Sequence, residues 1–519
     1  MYIIKDVYLK PDFDFLDSDT FLSEFLGCKI KNVKLHKKSI DARRRNDPLY
    51  CCSFTFDLQK NEKLKNFKNV SEYFEEKYII KTAKNINTRP VVIGFGPAGM
   101  FAALTLARAG LKPIVYEMGK KIEERKKDVN LFFTKGKLNA FSNVQFGEGG
   151  AGTFSDGKLN TGINDIRTKY VLKEFNRFGA GDNILYDAKP HIGTDVLETV
   201  VTNLRKEIEA FGGEIVFNSK LIDIKYNRCG EKILKFNSGK EIIADYVILA
   251  LGNGARDTFE MLINKGFNLI QKPFSVGVRI EHLQKDMDIS LYGSSGILPA
   301  ASYKAAVHLK DGRGVYTFCM CPGGYVINAA SEENTILTNG MSYQSRNGIN
   351  ANSALLVSVY PSDLADNNPL TAIDFQRQIE KSAFLLSGSY KAPYMTVSEF
   401  LNGKLNSANG SVLPTIFPSP IHKNFTSIFP KFVVDSLKEA IPLLGKKIRG
   451  LDYKDAILTA PETRSSCPIR IVRDDNMETI FKGVYPIGEG AGYAGGIMSS
   501  AVDGIRVAEK IIDRINLEY

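Results

Sequence analysis

RPVVIGFGPAGMFAALTLARAGLKPIVYEMG, residues 89–119, is the stretch of this chain that decides its fold. A short apolar run ends at GFGPAG (residues 94–99, the glycine turn), an alanine- and leucine-rich segment follows, and a second apolar run ends at Glu117. Strand, glycine turn, helix, strand and acid in this order form the fingerprint of a dinucleotide-binding unit. We therefore predict that this stretch binds a dinucleotide.

Each part of this fingerprint has a physical role. Gly94 permits the sharp turn, Gly96 lets backbone N–H groups approach a diphosphate, and Gly99 lets the helix pack closely on the strand. The N-terminus of the helix supplies the partial positive charge that a diphosphate needs. Glu117 can accept hydrogen bonds from ribose hydroxyls. Because no arginine follows it directly, the pattern favours FAD or NAD over NADP.

Length and composition set the broad class of the protein. The 519 residues exceed what one hydrophobic core supports, so we expect roughly two to four domains. No apolar run approaches the roughly 18–20 residues that cross a bilayer, and the first residues carry acids where a signal peptide needs an apolar core. Seven cysteines without a CxxC motif and five scattered histidines predict mostly free thiols and no metal site. We expect a cytoplasmic protein without a membrane partner.

The net charge of +10 is concentrated near the N-terminus, in residues 29–45, which hold eight lysines and arginines and one acid, Asp41. We interpret this basic segment as the solvated face of a strand. The alternative is a surface for RNA or an acidic partner. No nucleic-acid motif or aromatic platform accompanies the segment, so nucleic-acid binding is not our expectation.

Residues 1–88 precede the fingerprint and predict a small α+β domain. Alternating apolar residues and turn signals predict strands at residues 2–9, 29–39 and 49–58 and helices at residues 18–26 and 70–78.

A second glycine-rich segment, FSNVQFGEGGAGTFSDGKLNT, spans residues 141–161. Its five glycines argue against a helix or a regular strand. We interpret it as a loop that lies against a planar ligand and is anchored by Val144, Phe146 and Phe154. An exposed surface loop is the alternative.

Two later segments have the same character. DYVILALGNG at residues 245–254 predicts a buried strand that ends in small residues, where a chain turns against a cofactor. YPIGEGAGYAGGIMSS at residues 485–500 predicts a strand, a glycine-rich turn and a helix from about Gly496, whose N-terminus is a further anion or carbonyl site.

The remaining pattern divides the chain further. Periodicity predicts helices at residues 163–178 and 194–211 and short strands at residues 214–217, 220–226, 232–236 and 241–249. Residues 267–454 differ in character and predict an inserted cap, with antiparallel strands at 274–281 and 314–320, helices at 371–385 and 432–444, and a loop at 406–430. PETRSSCPIRI at residues 461–471 predicts a strand pair.

Together these segments resemble the flavoproteins of the glutathione-reductase structural class, and more closely a set of FAD-dependent dehydrogenases of uncharacterised function. The resemblance covers nearly the whole chain and rests on GFGPAG, QFGEGGAGTFSDGKL, CMCPGG, APETRSSCPIRI and YPIGEGAGYAGGIMSSAVDGI. It implies an α/β fold with a Rossmann-like FAD-binding domain, an inserted cap of antiparallel sheet plus helices, and the small N-terminal α+β domain. We place the N-terminal domain at residues 1–88, the FAD-binding domain at 89–266 and 455–519, and the cap at 267–454.

The resemblance also implies where FAD lies. Its ADP half would contact the glycine turn, and its isoalloxazine edge would contact the start of the C-terminal helix. Its ribitol would contact Glu489, at a position where the class usually carries aspartate. Arg125 would lie over the dinucleotide as a charge partner, and the strand of Ile222 would offer its backbone to the adenine. The implied FAD-binding residues are Gly94, Gly96, Pro97, Ala98, Gly99, Glu117, Arg125, Gly149, Gly150, Ile222, Ala250, Gly252, Gly488, Glu489, Gly496, Ile497 and Met498.

Three departures from related classes narrow the expected reaction. A second strand–GxGxxG–helix unit is absent from the sequence, so no NAD(P)H domain of the glutathione-reductase kind is expected. A CxxxxC motif is also absent, so disulfide reduction by a flavin-adjacent pair is not expected. The pair Asp156-Gly157 lacks the preceding apolar strand of the aromatic hydroxylases, so we do not predict a monooxygenase.

Candidate catalytic residues lie mainly in the predicted cap. Cys319 and Cys321 in CMCPGG would share one strand face, either as a nucleophile or redox pair or as two buried thiols. Arg279 and Arg464 would bind a carboxylate or phosphate of the substrate, or form structural ion pairs. His282 would serve as an acid or base, or as a hydrogen-bonded core histidine.

We predict an FAD-dependent oxidoreductase that transfers a hydride between FAD and a small molecule held between the FAD-binding domain and the cap. An external electron donor, NAD(P)H or ferredoxin, would supply the electrons. The alternative is a flavoprotein that acts mainly as a binding or redox-sensing module, whose basic N-terminal domain docks on RNA or on a protein partner.

Overall fold

A computed structural model describes residues 1–65, 67–84, 87–227, 231–293, 296, 298–406 and 410–518. The first of its units is a four-stranded antiparallel sheet of order β2-β3-β1-β4 that packs against one helix. Phe54, Phe56 and Leu22 are fully buried in its core. Its elements are β1 Tyr2–Leu9, α1 Ser18–Leu26, β2 Ile30–Asp41, β3 Leu49–Leu58 and β4 Val70–Glu72.

The helix predicted at residues 70–78 is wrong. Residues 70–72 form β4, which pairs antiparallel with β1 so that Tyr2 lies opposite Glu72. Residues 73–78 have no regular secondary structure. The backbone hydrogen bonds offered by the edge of β1 outweigh the weak local preference of this segment for a helix.

The next part of the chain contains the fingerprint as predicted. Helix α2 is buried along nearly its whole length, in keeping with its alanine and leucine composition. The strand predicted at residues 241–249 is divided into β10 and β11, which belong to different sheets. The elements are β5 Val91–Ile93, α2 Pro97–Arg108, β6 Ile114–Tyr116, α3 Ile122–Lys135, α4 Ile166–Arg177, α5 Thr194–Ala210, β7 Glu214–Val216, β8 Leu221–Tyr226, β9 Lys232–Phe236, β10 Glu241–Ala244, β11 Val247–Leu249, α6 Arg256–Asn264 and β12 Leu269–Gln271.

A seven-stranded, mostly antiparallel sheet with helices follows, which confirms the predicted element types. Its strand order is β14-β15-β18-β13-β21-β19-β20, and the central strands β13 and β18 are buried on both faces. Residues 407–409 of the predicted loop lie outside the described residues. The elements are β13 Phe274–Leu283, α7 Gln284–Tyr292, β14 Ala306–His308, β15 Gly314–Cys321, β16 Tyr325–Asn328, β17 Thr338–Met341, β18 Asn350–Val359, α8 Pro369–Ser387, β19 Pro393–Thr396, α9 Val397–Asn402, β20 Ile421–His422, α10 Lys431–Lys447 and β21 Ile457–Glu462.

The last segment returns to the fingerprint unit. Strand β22 (Ile469–Ile471) pairs with β12, so PETRSSCPIRI forms two strands that belong to different sheets. Strand β23 (Val484–Pro486) joins a parallel sheet of order β23-β11-β5-β6-β7, and helix α11 (Ile497–Glu518) packs against α2. Within the described residues, no helix is long and apolar enough to cross a membrane. The domain boundaries proposed above stay predictions.

Close backbone packing brings the parallel sheet, α2 and α11 together. A Cβ atom at Gly99 would lie 2.0 Å from the carbonyl oxygen of Gly94, and one at Gly504 of α11 would lie 2.2 Å from that of Ala98. Only glycine allows these approaches. Both helices therefore begin near the carboxyl end of the sheet, where α/β proteins bind ligands.

Candidate functional site

One cavity of about 360 Å³ lies at the carboxyl end of the parallel sheet, a volume in the range of small-molecule sites. Its lining comes from the glycine turn, the glycine-rich segment, the residues that follow β6, β11 and β23, and the start of α11. Strands β15 and β21 of the seven-stranded sheet, together with β17 of a separate two-stranded sheet (β16-β17), form the facing wall. The predicted site residues that line it are Gly94, Gly96, Pro97, Ala98, Glu117, Gly150, Ala250, Gly252, Cys319, Arg464, Glu489, Gly496 and Ile497.

The glycine turn presents backbone rather than side chains to this cavity. Gly94 has φ 103°, and a Cβ atom there would lie 2.3 Å from the carbonyl oxygen of Ala250. Helix α2 starts with Pro97 at its first position, so its N-terminal amides, which lack partners within the helix, point toward the cavity. This arrangement offers donors to a diphosphate, as the sequence predicts.

The carboxylate of Glu117 fixes the two glycine-rich segments to each other. It accepts hydrogen bonds from the backbone N–H groups of Phe95 (2.7 Å), Gly119 (2.9 Å) and Gly147 (2.9 Å). A carboxylate has about four acceptor positions, so about one remains for a ribose hydroxyl. Glu117 is therefore a brace of the turn as well as a candidate ribose ligand.

Four further predicted residues lie behind the lining. Gly149 has φ 84° and Gly488 φ 75°, so both occupy backbone conformations that favour glycine. The N–H group of Gly488 donates to Asp503, while Gly99 and Met498 are buried in the packing of α2 and α11. These residues shape the wall of the cavity.

The structure corrects the role expected for Arg125. The guanidinium is fully buried and donates to the carbonyl oxygens of Asn143 (2.8 Å), Val144 (3.0 Å), Glu148 (2.6 Å) and Gly150 (2.9 Å). Burial lowers its pKa to about 10. Among the described residues, Arg125 is not part of the cavity lining. Its N–H donors instead hold the glycine-rich segment in place.

The expected contact between the backbone of the Ile222 strand and adenine stays a prediction. Ile222 lies on β8, in a separate three-stranded sheet of order β10-β9-β8, and its side chain is 41% exposed. It lies outside the part of the described chain that lines the cavity. Successive side chains of a strand point to opposite faces, so on β8 the side chain of Leu221 is buried and that of Ile222 faces solvent.

The cavity fits a flat, polyhydroxylated dinucleotide. A Cβ atom added at Gly252, Gly495 or Gly496 would meet no atom of the described chain within 4 Å, so these positions leave open space. Asn253 lines the cavity, and its buried side-chain oxygen lacks a hydrogen-bond partner within the described chain. A ligand hydroxyl would satisfy that oxygen.

Comparison with known proteins agrees with this geometry. An uncharacterized protein of Clostridium beijerinckii is 46% identical over 523 residues, which cover 97% of this chain and 98% of that protein. The chain belongs to the family of this relative. Residues 273–465 match the family described as "FAD-dependent protein, C-terminal domain-like". FAD is therefore its cofactor, and the protein is a flavoprotein.

Solved flavoprotein structures are similar at a lower level. A halogenase PltM mutant in complex with FAD is 10% identical, with a TM-score of 0.40, and the match covers 83% of this chain and 70% of that chain. The flavin-dependent brominase Bmp2 is 12% identical, with a TM-score of 0.39, and the match covers 82% of this chain and 79% of that chain. A point mutant of E. coli quinol fumarate reductase FrdA is 12% identical, with a TM-score of 0.37, and the match covers 83% of this chain and 71% of that chain.

Glu489 is the one predicted acid of the flavoprotein that faces the cavity from the end of β23. Burial raises the pKa of its carboxyl group to about 7, and Cys319 adds to the rise, while Lys272 and a hydrogen bond with Asn253 oppose it. Near neutral pH this group can therefore either donate or accept a proton beside the ligand.

We expect Glu489→Gln to remove a pH-dependent loss of stability from the flavin-stripped protein. The carboxyl pKa is higher in the folded than in the unfolded state, so its contribution is fully present at pH 4, is lost as pH rises through about 7, and is absent above that. Because water in the cavity weakens the effect, we expect the free energy of unfolding of the wild-type protein to fall by about 2 kcal/mol across this pH range. Urea unfolding at pH 5 and pH 8 measures it. The exposed Glu260→Gln is the matched control, and equal pH slopes for all three proteins would contradict the assignment.

Both candidate arginines are engaged in ion pairs. Arg464 donates from Nε and Nη2 to Glu380 (2.9 and 2.7 Å) and from Nη1 to Ser331 (2.7 Å). Arg279 is fully buried and donates to both carboxylate oxygens of Glu462 (2.5 and 2.6 Å). The structural interpretation of these two residues is therefore favoured over binding of a substrate anion.

His282 is a core histidine. It is buried, its Nε2 lies 3.0 Å from the carbonyl oxygen of Leu451, and it faces a second, separate cavity. Burial lowers its pKa to about 4, so the ring is neutral at physiological pH. The role of acid or base at the first cavity is not compatible with this position.

Several residues that sequence reasoning missed support the cavity. Asp156 is buried and accepts hydrogen bonds from Ser342 and Arg346, and it pairs with Lys158, which lines the cavity. The motif SDGK (residues 155–158) within the glycine-rich segment is the sequence feature that points to this charged cluster. Its partners, however, come from a distant part of the chain, so the cluster was not visible in the sequence.

Proposed function

We propose that this flavoprotein is an oxidoreductase that transfers a hydride between FAD and a small molecule, with a Rossmann-like FAD-binding domain of the glutathione-reductase kind. The single observation that carries the proposal is the shared cavity. One wall consists of the glycine turn and helix N-termini, and the other consists of β15 and β21 of the seven-stranded sheet and β17 of the two-stranded sheet. A substrate that enters between the two walls would meet the ring of FAD.

We infer a place for each half of FAD from the residues that line the cavity. The amides at the start of α2 would hold the diphosphate, and Glu117 the ribose. Glu489 and the unpartnered oxygen of Asn253 would contact the ribityl hydroxyls. When bound, FAD supplies hydride transfer at N5 of its ring.

The remaining wall determines what reaches the ring. The amides that begin α11 supply partial positive charge at Ile497, which favours an anionic reduced ring. On the opposite side, Phe318, Cys319 and Asn339 leave an apolar edge, a thiol and an amide facing the cavity. These groups would hold the substrate and exclude water from the ring.

Stopped-flow reduction of the purified protein tests this function. We expect yellow protein whose flavin is reduced rapidly by at least one of NADH, NADPH and reduced ferredoxin and is reoxidised by a suitable acceptor. Flavin absorbance near the visible maximum measures both steps. Flavin that stays oxidised with every donor and substrate would overturn the proposal and would favour a binding or redox-sensing role.

A further inference from the structure

Two cysteines lie at the substrate side of the cavity on an irregular part of β15. Phe318 pairs with Ala354 of β18 and Cys321 pairs with Asn352, so β15 holds one extra residue in this interval. Cys319 has φ 43° and lines the cavity. A β-bulge of this kind re-aims a side chain and often lies beside an active site.

The two thiols occupy different positions relative to the cavity. Cys319 is partly exposed at the cavity wall, whereas Cys321 is fully buried behind it. The thiol of Cys321 lies 3.3 Å from the carbonyl oxygen of Cys319. An accessible thiol with a second thiol directly behind it is the arrangement that intramolecular thiol–disulfide exchange requires.

Two cations lie beside the pair. The ammonium of Lys158 donates to the carbonyl oxygen of Met320, the residue between the two cysteines. The guanidinium of Arg279 donates to the carbonyl oxygen of Cys319 (3.2 Å). Positive charge at this distance stabilises a thiolate over a thiol.

The ionisation of the two thiols agrees with this geometry. A hydrogen bond from Cys321, together with the charges of Lys158 and Arg279, lowers the pKa of Cys319 to about 5 against the opposing effect of burial. The same hydrogen bond and burial raise the pKa of Cys321 well above its usual value. Burial raises the pKa of Cys467 to about 12, so a buried thiol without these cations behaves differently.

We propose that Cys319 and Cys321 form a redox-active dithiol that exchanges two electrons with FAD bound in the cavity, and that the substrate is a small disulfide or dithiol. The inference rests on the proposed function and deepens it. The expectation that a flavin-adjacent pair does not reduce disulfides was based on the absence of a CxxxxC motif after the glycine turn, whereas this pair lies on the opposite wall of the cavity.

The exchange balances in the reducing direction. Two electrons and two protons, which reduced FAD would supply when bound, would cleave the Cys319–Cys321 disulfide to two thiols. The Cys319 thiolate then attacks one sulfur of the substrate disulfide, forms a mixed disulfide and releases the first thiol. The thiol of Cys321 then attacks the sulfur of Cys319 and releases the second thiol of the substrate, which restores the intramolecular disulfide.

Disulfide formation can be measured without any catalytic turnover. Trypsin releases both cysteines in one peptide, residues 314–346, which contains no other cysteine. After mild oxidation of the full-length protein by a small aromatic disulfide, we expect this peptide to be lighter by two hydrogen atoms and to resist alkylation. Free thiols at both positions after oxidation would overturn the proposal.

Electron counting tests the link to flavin. Anaerobic titration of the oxidised holoprotein should take up about four electrons per FAD, and about two in Cys319→Ser and in Cys321→Ser. Cys51→Ser, a partly exposed cysteine of the N-terminal sheet, is the control and should keep about four. Uptake of only two electrons by the wild-type protein would refute the redox-active dithiol but would leave the proposed oxidoreductase function standing. Protein that binds no FAD refutes the proposed function, and the disulfide measurement still tests the pair.

The role of Lys158 separates a reactive thiolate from an inert thiol. Iodoacetamide labelling of reduced protein at pH 6 should be about tenfold slower at Cys319 in Lys158→Met, because the stabilising cation is lost. Lys189→Met removes a neighbouring cation whose amine donates to Ser302 (3.3 Å), and it should label at the wild-type rate. Equal rates in all three proteins would contradict the assignment.

Discussion

Replacing Gly96 with valine will raise the Kd for FAD by about 100-fold or more while the protein stays folded. A Cβ atom at Gly96 would lie 3.6 Å from the nearest atom, Cα of Gly150, and its φ of −84° suits any residue. The valine side chain would instead occupy the space in front of the α2 amides. Loss of two charge-assisted hydrogen bonds to the diphosphate costs about 3–6 kcal/mol, or about two to four decades in Kd.

Gly99 provides the contrast that makes this prediction specific. A Cβ atom at Gly99 would lie 2.0 Å from the carbonyl oxygen of Gly94, so Gly99→Val should lower the amount of folded protein. Gly162→Ala, where a Cβ atom meets nothing within 4 Å, is the control for both. Fluorescence titration with FAD and far-UV circular dichroism measure binding and folding. Wild-type affinity in Gly96→Val would show that the diphosphate lies elsewhere.

The part of this site that could be predicted is the part encoded locally. The spacing of Gly94, Gly96 and Gly99 between two apolar runs specifies a turn, a close helix and a free set of amides within one short segment. Strands β5 and β6 and helix α2 form as predicted for the same reason. Local pattern also predicts that the glycine-rich segment contains no α-helix or regular strand, although Gly150–Phe154 within it form a short 3-10 helix.

The errors arise where distant contacts decide the outcome. Residues 70–72 become a strand because the edge of β1 is available, which no local pattern records. Arg125 turns into the protein because carbonyl groups of the glycine-rich segment surround it. The meeting of Lys158 with the strand of Cys319 depends on packing between segments far apart in the chain, so neither sequence position reveals it.

The second large effect is expected from Glu380→Gln, which should lower the free energy of unfolding by about 3–5 kcal/mol. Glu380 is fully buried on α8 and accepts from Arg256 (2.8 and 2.8 Å) and Arg464 (2.9 and 2.7 Å). Both arginine side chains are 2% exposed. Glutamine leaves two buried guanidinium groups short of one negative charge, and Glu332 at the edge of the cluster compensates only in part.

The pH dependence identifies the cause. Burial alone would raise the pKa of Glu380, but the charges of Arg256 and Arg464 hold it well below its usual range. The contribution of the Glu380 carboxylate to the free energy of unfolding is therefore present above its unfolded-state pKa and is lost as pH falls through its folded-state pKa. The difference in free energy of unfolding between wild type and Glu380→Gln should therefore become smaller in acid. Asp374→Asn, which breaks an exposed pair with Arg377 on the same helix, should change stability by less than about 1 kcal/mol. An equally small loss in Glu380→Gln would contradict the prediction.

The same variant separates stability from ligand binding. Arg464 lines the cavity, whereas Glu380 lies behind it, outside the described lining. In Glu380→Gln the guanidinium of Arg464 still donates to Ser331 and can reach the glutamine oxygen, so its position at the wall changes little. We therefore expect the Kd for FAD of the folded protein to stay within about threefold of wild type. A much larger increase would mean that the charge of this cluster, and not only its packing, acts on the bound cofactor.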